Sequence, residues 1–180
     1  MDIKDKAADH REELVVSVAE MDWERWQPTD RATLLFVLDE SKILLIRKKR
    51  GLGAGKISAP GGRMEPGESP LQCALRELKE EVGVTAFEAA ERGLHHFQFM
   101  DGYALKVHVF ITRRWSGEPV ETDEAIPLWF DVAALPYEEM WEDDRLWMPH
   151  LLAGRSFVGW YLFDGDSMLQ HRLELQEMSP

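Results

Sequence analysis

The chain has 180 residues, of which 44% are hydrophobic and 30% are charged, and this composition is typical of a soluble globular protein with one domain. Its formal net charge of −12 argues against a duplex nucleic-acid partner, because duplex binding needs many Lys and Arg contacts with phosphate. No apolar run approaches the roughly 20 residues that span a bilayer, and the single cysteine, Cys73, cannot form an internal disulfide, so we expect no membrane partner and a reducing cytoplasmic setting.

The beginning of the chain carries the least pattern, and residues 1–28 are predicted to be an N-terminal extension. Within it, residues 11–26 could form a short helix, with Pro28 marking a boundary. Two apolar runs follow, ATLLFVL at residues 32–38 and KILLIRKK at residues 42–49, and they predict two strands joined by a polar turn.

A glycine-rich loop at residues 50–68 leads into a predicted helix, Ser69–Val82. Ser69 is a suitable N-cap, and Gln72 three residues later completes a capping box. Gly83 is placed to end the helix. Four apolar residues recur at helical spacing and predict one buried stripe: Leu71, Leu75, Leu78 and Val82.

The remaining elements are predicted to be mostly strands. Residues 94–100 and 103–115 read as strands around the hairpin signal Asp101-Gly102, and residues 127–132 as a short strand. Residues 143–154 are predicted to be helical, and a last strand pair is predicted at residues 157–163 and 168–175. Strands with two substantial helices indicate the α+β class with a mixed sheet.

Three carboxylates cluster on the predicted helix, at Glu77, Glu80 and Glu81. A solvated acidic face is the common fate of such a run. However, like charges one helical turn apart cost roughly 0.2–0.5 kcal/mol per pair, and the helix dipole disfavours carboxylates near the C-terminus. A divalent cation would remove both penalties, because hard oxygen ligands suit Mg²⁺, with Mn²⁺ as an alternative.

The same stretch resembles the complete motif of the Nudix hydrolase family: Gly62, five residues, Glu68, seven residues, then RELKEEVGV ending at Val84. The resemblance implies an α/β/α sandwich with a mixed sheet and a loop–helix–loop over residues 29–180. It also implies hydrolysis of a nucleoside diphosphate linked to another group. The matching positions are Gly62, Glu68, Arg76, Glu77, Leu78, Glu80, Glu81, Gly83 and Val84.

Carried onto this chain, the resemblance implies roles for single residues. Glu81 or Glu80 would help to activate the attacking water, and Arg76 would orient the carboxylates with Glu68 as its partner. The implied metal ligands are Glu77, Glu80, Glu81, Glu124 and the backbone carbonyl of Gly61. Cys73 lies on the acidic side of the helix and could be a reactive thiol or a soft metal ligand, but a small residue that lets the loop approach is the preferred interpretation.

Segments outside the motif, such as VHVF and MWEDDRLWMP, resemble the oxidised-purine nucleoside triphosphatases of the family. In that subfamily a carboxylate pair and a tryptophan read the base, at positions that here are Asp143, Asp144 and Trp141. Two enclosed carboxylates cannot both hold a charge easily, so the pair could both donate and accept hydrogen bonds along a purine edge. The alternative makes Asp143 or Asp144 a helix N-cap and Trp141 a core residue.

Three further positions match the nucleotide pocket of that subfamily: Thr33, Lys48 and Ser58. Ser58 replaces an asparagine and Leu52 replaces a phenylalanine, which leaves the preferred base open. The predicted function is metal-dependent conversion of oxidised purine nucleoside triphosphates, of the 8-oxo-dGTP or 2-hydroxy-dATP type, to monophosphate and pyrophosphate by a monomer or homodimer. The alternatives are a Nudix hydrolase for another diphosphate, such as a pteridine or pyrimidine triphosphate or a dinucleotide, and a non-catalytic nucleotide sensor.

Overall fold

A computed structural model describes residues 17–176, which form two α-helices and eleven strands. Helix α1 is Pro70–Val82, helix α2 is Asp144–Leu152, and a single 3₁₀ turn covers Tyr137–Glu139. The strands are β1 Asp30–Asp39, β2 Lys42–Lys48, β3 Ile57–Ser58, β4 Gly61–Arg63, β5 Thr85–Ala86, β6 Ala90–Phe99, β7 Ala104–Thr112, β8 Trp115–Ser116, β9 Ala125–Asp131, β10 Ser156–Asp164 and β11 Ser167–Gln176. Within this range, no helix is long and apolar enough to cross a membrane.

One mixed sheet carries nine of the strands, in the order β11-β10-β6-β7-β1-β2-β3, while β4 pairs with β1 and β9 pairs with β2. The pairs β1–β7 and β6–β10 are parallel, and the other pairs in this sheet are antiparallel. The remaining two strands, β5 and β8, form a small antiparallel sheet of their own. The expected mixed sheet is therefore confirmed.

The sheet separates two hydrophobic cores, because successive side chains of a strand point to opposite faces. Phe36 and Leu38 of β1 pack into the core that contains Trp147 of α2. Their neighbours Leu35 and Val37 pack into the second core, which contains several side chains of α1. The continuous apolar run of β1 is thus buried on both sides, and the α/β/α sandwich is confirmed.

Helix α1 has the predicted ends. The Ser69 hydroxyl accepts from the Gln72 backbone N–H, the Gln72 side chain accepts from the Ser69 N–H, and Gly83 ends the helix at a φ of +75°. The predicted apolar stripe is partly wrong, because Leu71 is exposed whereas Glu81 is buried beside Leu78 and Val82. The acidic face is therefore divided, with Glu81 turned inward and Glu80 turned outward.

The later strands and the β6–β7 hairpin are confirmed, with Gly102 in the turn at a φ of +96°. The predicted N-terminal helix is wrong for residues 17–26, which form turns, while residues 11–16 lie outside the described range. The turns are held by their tryptophans: the indole N–H of Trp23 donates to the Val18 carbonyl at 2.8 Å, and that of Trp26 donates to Gln98 of β6 at 2.9 Å.

Candidate active site

A cavity of about 500 Å³ lies between the sheet, the glycine-rich loop and the start of α2. It reaches from carboxylates of α1 at one end to the Asp143–Asp144 pair at the other. The cavity is lined by the following predicted site residues: Thr33, Lys48, Ser58, Gly61, Glu77, Glu81, Glu124, Trp141, Asp143 and Asp144. Two predicted site residues, Arg76 and Glu80, lie outside its lining.

Arg76 organises the carboxylates of Glu68, Glu77 and Glu80 on α1 and the loop before it. Its guanidinium donates to both oxygens of Glu68 at 2.8 and 2.9 Å, to Glu77 at 2.7 Å and to Glu80 at 3.0 Å. These bonds lower the pKa of Glu68 to about 2, so that this carboxylate is a permanent anchor for the arginine. The expected partnership of Arg76 with Glu68 is present, and the arginine fixes the position of Glu77.

Glu81 is the buried carboxylate of the cluster, with 4% of its surface exposed. Its Oε2 accepts a hydrogen bond from the backbone N–H of Gly61 at 3.0 Å. Burial raises the pKa of Glu81 to about 7, and the charges of Glu77 and Glu124 act in the same direction, while Lys48 opposes them. A carboxyl group with a pKa near neutrality, facing a cavity, is suited to exchanging a proton at physiological pH.

Gly61 brings the loop against β1, and Gly62 brings it against α1, at distances that a side chain would block. A Cβ at Gly61 would lie 1.9 Å from the Thr33 carbonyl oxygen, and a Cβ at Gly62 would lie 2.4 Å from the Glu77 carboxyl carbon. The buried Cys73 thiol fills the remaining space, where it accepts from the Thr33 hydroxyl at 3.3 Å. Burial raises the pKa of Cys73 to about 11, which supports a packing role over a reactive thiolate.

The oxygen donors at this end of the cavity fit a hard divalent cation. Within residues 17–176 no three His, Cys, Asp or Glu side chains form a coordinating set, and Arg76 pairs with Glu77 and Glu80 while Arg50 pairs with Glu124. The charges of Glu77 and Glu124 both raise the pKa of Glu81, so these carboxylates share one region of negative potential. Oxygen ligands with excess negative charge are what Mg²⁺ and Mn²⁺ prefer.

At the other end of the cavity, Asp143 and Asp144 are almost completely buried, with 2% and 6% of their surfaces exposed. The Trp147 indole N–H donates to Oδ2 of Asp143 at 2.9 Å, and the Trp141 backbone N–H donates to Oδ2 of Asp144 at 3.2 Å. Asp143 stands at the N-cap position of α2 but its side chain caps nothing. A simple capping role therefore does not explain this residue.

Burial raises the pKa of both carboxyls, to about 6 for Asp143, and the charge of Asp143 raises the pKa of Asp144 in addition to burial. The Trp141 ring lines this end of the cavity, with its indole nitrogen close to Gly53 and the Lys56 ammonium 5.0 Å from its centroid. With one proton shared by the pair, the site can offer a carboxyl donor and a carboxylate acceptor beside an aromatic face.

The raised pKa values make a prediction for folding stability. In the unfolded chain the aspartates lose their protons at the ordinary Asp pKa of 3.8, whereas the folded pair keeps protons up to a higher pH. The protonated pair therefore contributes its full stability below about pH 3.8. This contribution is lost as the pH rises through about 6. At 1.36 kcal/mol per pKa unit, the loss is a few kcal/mol. Between about pH 4 and pH 8, we expect the unfolding free energy of Asp144→Asn to increase relative to that of the parent protein. Urea unfolding at several pH values measures it, and parallel curves would contradict the prediction.

The sequence did not single out the apolar walls of the cavity. They come from alternate residues of β6 and β7, from α2 and from β10: Phe97, Phe99, Leu105, Val107, Trp147 and Phe163. Period-two alternation within residues 94–100 indicates a shared strand face, but it does not reveal which face lines a cavity. His95 also lines the cavity and was predicted only to lie on a strand.

Known proteins resemble this chain over most of its length. The NUDIX domain model matches residues 28–151. A protein of Danio rerio named oxidized purine nucleoside triphosphate hydrolase is 40% identical over 144 residues, which cover 79% of this chain and 92% of the relative. The Mus musculus protein of the same name is 37% identical over 143 residues, covering 78% and 92%. Among solved structures, the mutator MutT protein of Bacillus halodurans has a TM-score of 0.73 at 28% identity, covering 81% of this chain and 97% of the other.

Proposed function

The chain belongs to the Nudix hydrolase family, and from this premise we propose that it converts oxidised purine (deoxy)nucleoside triphosphates to the monophosphate and pyrophosphate. The observation that carries the substrate class is the Asp143–Asp144 pair, buried in the same cavity that Glu77 and Glu81 line. A base held by the aspartates would direct its phosphates toward the carboxylates of α1. The proposed substrates are of the 8-oxo-dGTP or 2-hydroxy-dATP type, and the proposed role is cleansing of the nucleotide pool.

Nudix hydrolases generally use divalent metal cations. We propose Mg²⁺ here, with Mn²⁺ as an alternative, held by the carboxylates of Glu77, Glu80, Glu81 and Glu124 and by the Gly61 carbonyl. When bound, the cation offsets the charge of the phosphate oxygens and lowers the pKa of the attacking water. The proposal requires Glu124 to exchange its bond with Arg50 for the cation, and Glu80 to turn from the outer side of α1.

The protein's own residues supply positioning and proton transfer. Glu81, which the Gly61 N–H holds within the cavity, would take a proton from the attacking water. Arg76 keeps Glu77 against the loop, and Gly62 leaves the space that this carboxylate needs. Lys48 and Thr33, which line the cavity beside Glu81, would bind the phosphate chain and the nucleotide.

At the base end, the neutral carboxyl would donate a hydrogen bond to the purine edge while its charged partner accepts one. Oxidation of a purine changes its pattern of donors and acceptors, so a site with one of each can distinguish oxidised from normal bases. Trp141 would provide the stacking face, and Ser58 and Leu52, which also line the cavity, would set the base preference. The buried free thiol of Cys73 is compatible with the proposed cytoplasmic setting.

The proposal is tested by measuring pyrophosphate release with Mg²⁺ from 8-oxo-dGTP, 2-hydroxy-dATP, dGTP and dATP. We expect a higher kcat/KM for at least one oxidised nucleotide than for its normal counterpart. Turnover confined to dinucleotides or to pteridine or pyrimidine triphosphates would overturn the proposed substrate class, but the protein would still be a Nudix hydrolase. Binding of nucleotides without any turnover would instead identify a sensor.

A further inference from the structure

Three buried polar groups, two on residues that line the cavity and one on Tyr161 behind that lining, have no hydrogen-bond partner among the described residues. They are both ring nitrogens of His95, the hydroxyl of Tyr161 and Oδ1 of Asp143. An unsatisfied buried polar group costs about 1–3 kcal/mol, so three of them in one region are unusual for a packed core. Such a cluster is explained most simply if a polar ligand atom satisfies it.

His95 has an apolar enclosure but faces the cavity. Its ring lies among those of Trp147, Phe157 and Phe97, at centroid distances of 4.7, 5.3 and 5.6 Å. The residue is nevertheless part of the cavity lining. Trp147 also donates to Oδ2 of Asp143, so a single indole ring packs against the histidine and anchors the aspartate.

The Tyr161 hydroxyl is folded back toward His95. A Cβ at Gly159 would lie 2.2 Å from this hydroxyl oxygen, which places the oxygen directly over the glycine. Gly159 of β10 is the register partner of His95 in β6. The rings of Tyr161 and His95 meet edge to face, with their centroids 5.3 Å apart. The hydroxyl and the imidazole are therefore neighbours that one bridging polar atom could satisfy together.

We propose that His95, Tyr161 and Oδ1 of Asp143 form a polar floor beneath the base pocket, which binds an exocyclic amino, hydroxyl or carbonyl group of the purine. The inference rests on the proposed function, and it adds His95 and Tyr161 as specificity-determining residues. The polar floor would select bases by a substituent that reaches beyond the Asp143–Asp144 pair.

The chemistry of the polar floor suits a substituent that donates or accepts. Burial lowers the pKa of His95 to about 3, so the imidazole is neutral and presents one N–H donor and one bare nitrogen acceptor. Burial and the charges of Asp143 and Asp144 raise the pKa of Tyr161, so its hydroxyl keeps its proton and can also donate or accept. A hydrogen atom at the same place on the base would leave all of these groups unsatisfied.

The test compares nucleotide pairs that differ by one exocyclic group: dGTP with dITP, 2-amino-dATP with dATP, 2-hydroxy-dATP with dATP, and 8-oxo-dGTP with dGTP. The ratio of kcat/KM within each pair is measured for the parent protein, Tyr161→Phe and His95→Leu. Tyr161→Phe removes only the hydroxyl and keeps the ring. If His95→Leu fails to fold, Tyr161→Phe still decides the test. The matched control is His96→Leu, because the His96 ring bonds to the Gly159 carbonyl and stacks on Trp160, away from the cavity lining.

We expect the ratio of at least one pair to fall about tenfold in both variants, with every ratio in His96→Leu within about twofold of the parent. If all four ratios in Tyr161→Phe stay within about twofold of the parent values, the polar floor does not bind the base and holds only water. The proposed function would still stand in that case. A parent protein that hydrolyses no purine triphosphate would overturn the proposed function, and the polar floor with it.

Discussion

Replacing Glu81 by Gln is expected to lower kcat by about 10²- to 10⁴-fold, the usual contribution of a general acid or base. The glutamine has the same shape and can still accept the hydrogen bond that the Gly61 N–H donates at 3.0 Å. It cannot take a proton from water, and it lacks the charge that a divalent cation requires. The substitution therefore removes the chemistry and keeps the geometry.

The folded state should survive this change. Glu81 is buried, and a neutral amide avoids the cost of burying a carboxylate, so the Tm should not fall. The matched control is Glu88→Gln, whose exposed carboxylate pairs with Arg114 away from the cavity lining. Single-turnover kinetics with saturating Mg²⁺ and circular dichroism measure both properties. A kcat within about threefold of the parent would remove Glu81 from the mechanism.

Much of the fold was predictable from the sequence because its signals are local. The capping box at Ser69 and Gln72 and the Asp101-Gly102 turn each depend on residues a few positions apart. The short strands β3 and β4 escaped prediction, since two or three residues of a glycine-rich loop become strands only by pairing with β2 and β1. That pairing is a tertiary contact, and no local sequence pattern predicts it.

The sequence also did not show which carboxylates of the acidic cluster are buried and which are exposed. Helical spacing placed Glu77, Glu80 and Glu81 on one arc, yet Glu81 is buried and Glu80 is exposed. The difference arises because the loop supplies the Gly61 N–H to Glu81, whereas Arg76 draws Glu80 outward. Only the position of the loop relative to α1 decides which carboxylate faces the cavity.

The His95 polar floor was missed for a similar reason. Two adjacent histidines, His95 and His96, lie on one strand and point to opposite faces of the sheet. His96 meets Trp23, Trp26 and Trp160, and its Nδ1 lies 3.1 Å from a backbone carbonyl, while His95 meets the cavity. Sequence alternation separates the two rings but does not say which of them faces a ligand.

The second large effect is expected at the aspartate pair, and it should be unequal. Burial raises the pKa of both carboxyls, and the charge of Asp143 raises that of Asp144 in addition, so we assign the shared proton to Asp144. Asp144→Asn preserves a neutral donor at that place and should lower kcat/KM for the preferred oxidised purine by about tenfold. Asp143→Asn removes the charged acceptor and should cost about 100-fold, since a hydrogen bond to a charged group is worth about 1.5–3 kcal/mol.

The pH profile adds a test that a merely structural role would not satisfy. In the parent protein, kcat/KM should fall as the pH rises and the pair loses its shared proton, because two carboxylates cannot donate to the base. Asp144→Asn cannot lose that proton, so its profile should lack this fall on the same substrate. The control is Glu138→Gln, whose exposed carboxylate pairs with Arg145 outside the cavity. If both asparagine variants matched the parent in kcat/KM and in pH profile, Asp143 and Asp144 would not bind the base, and the purine assignment would be wrong.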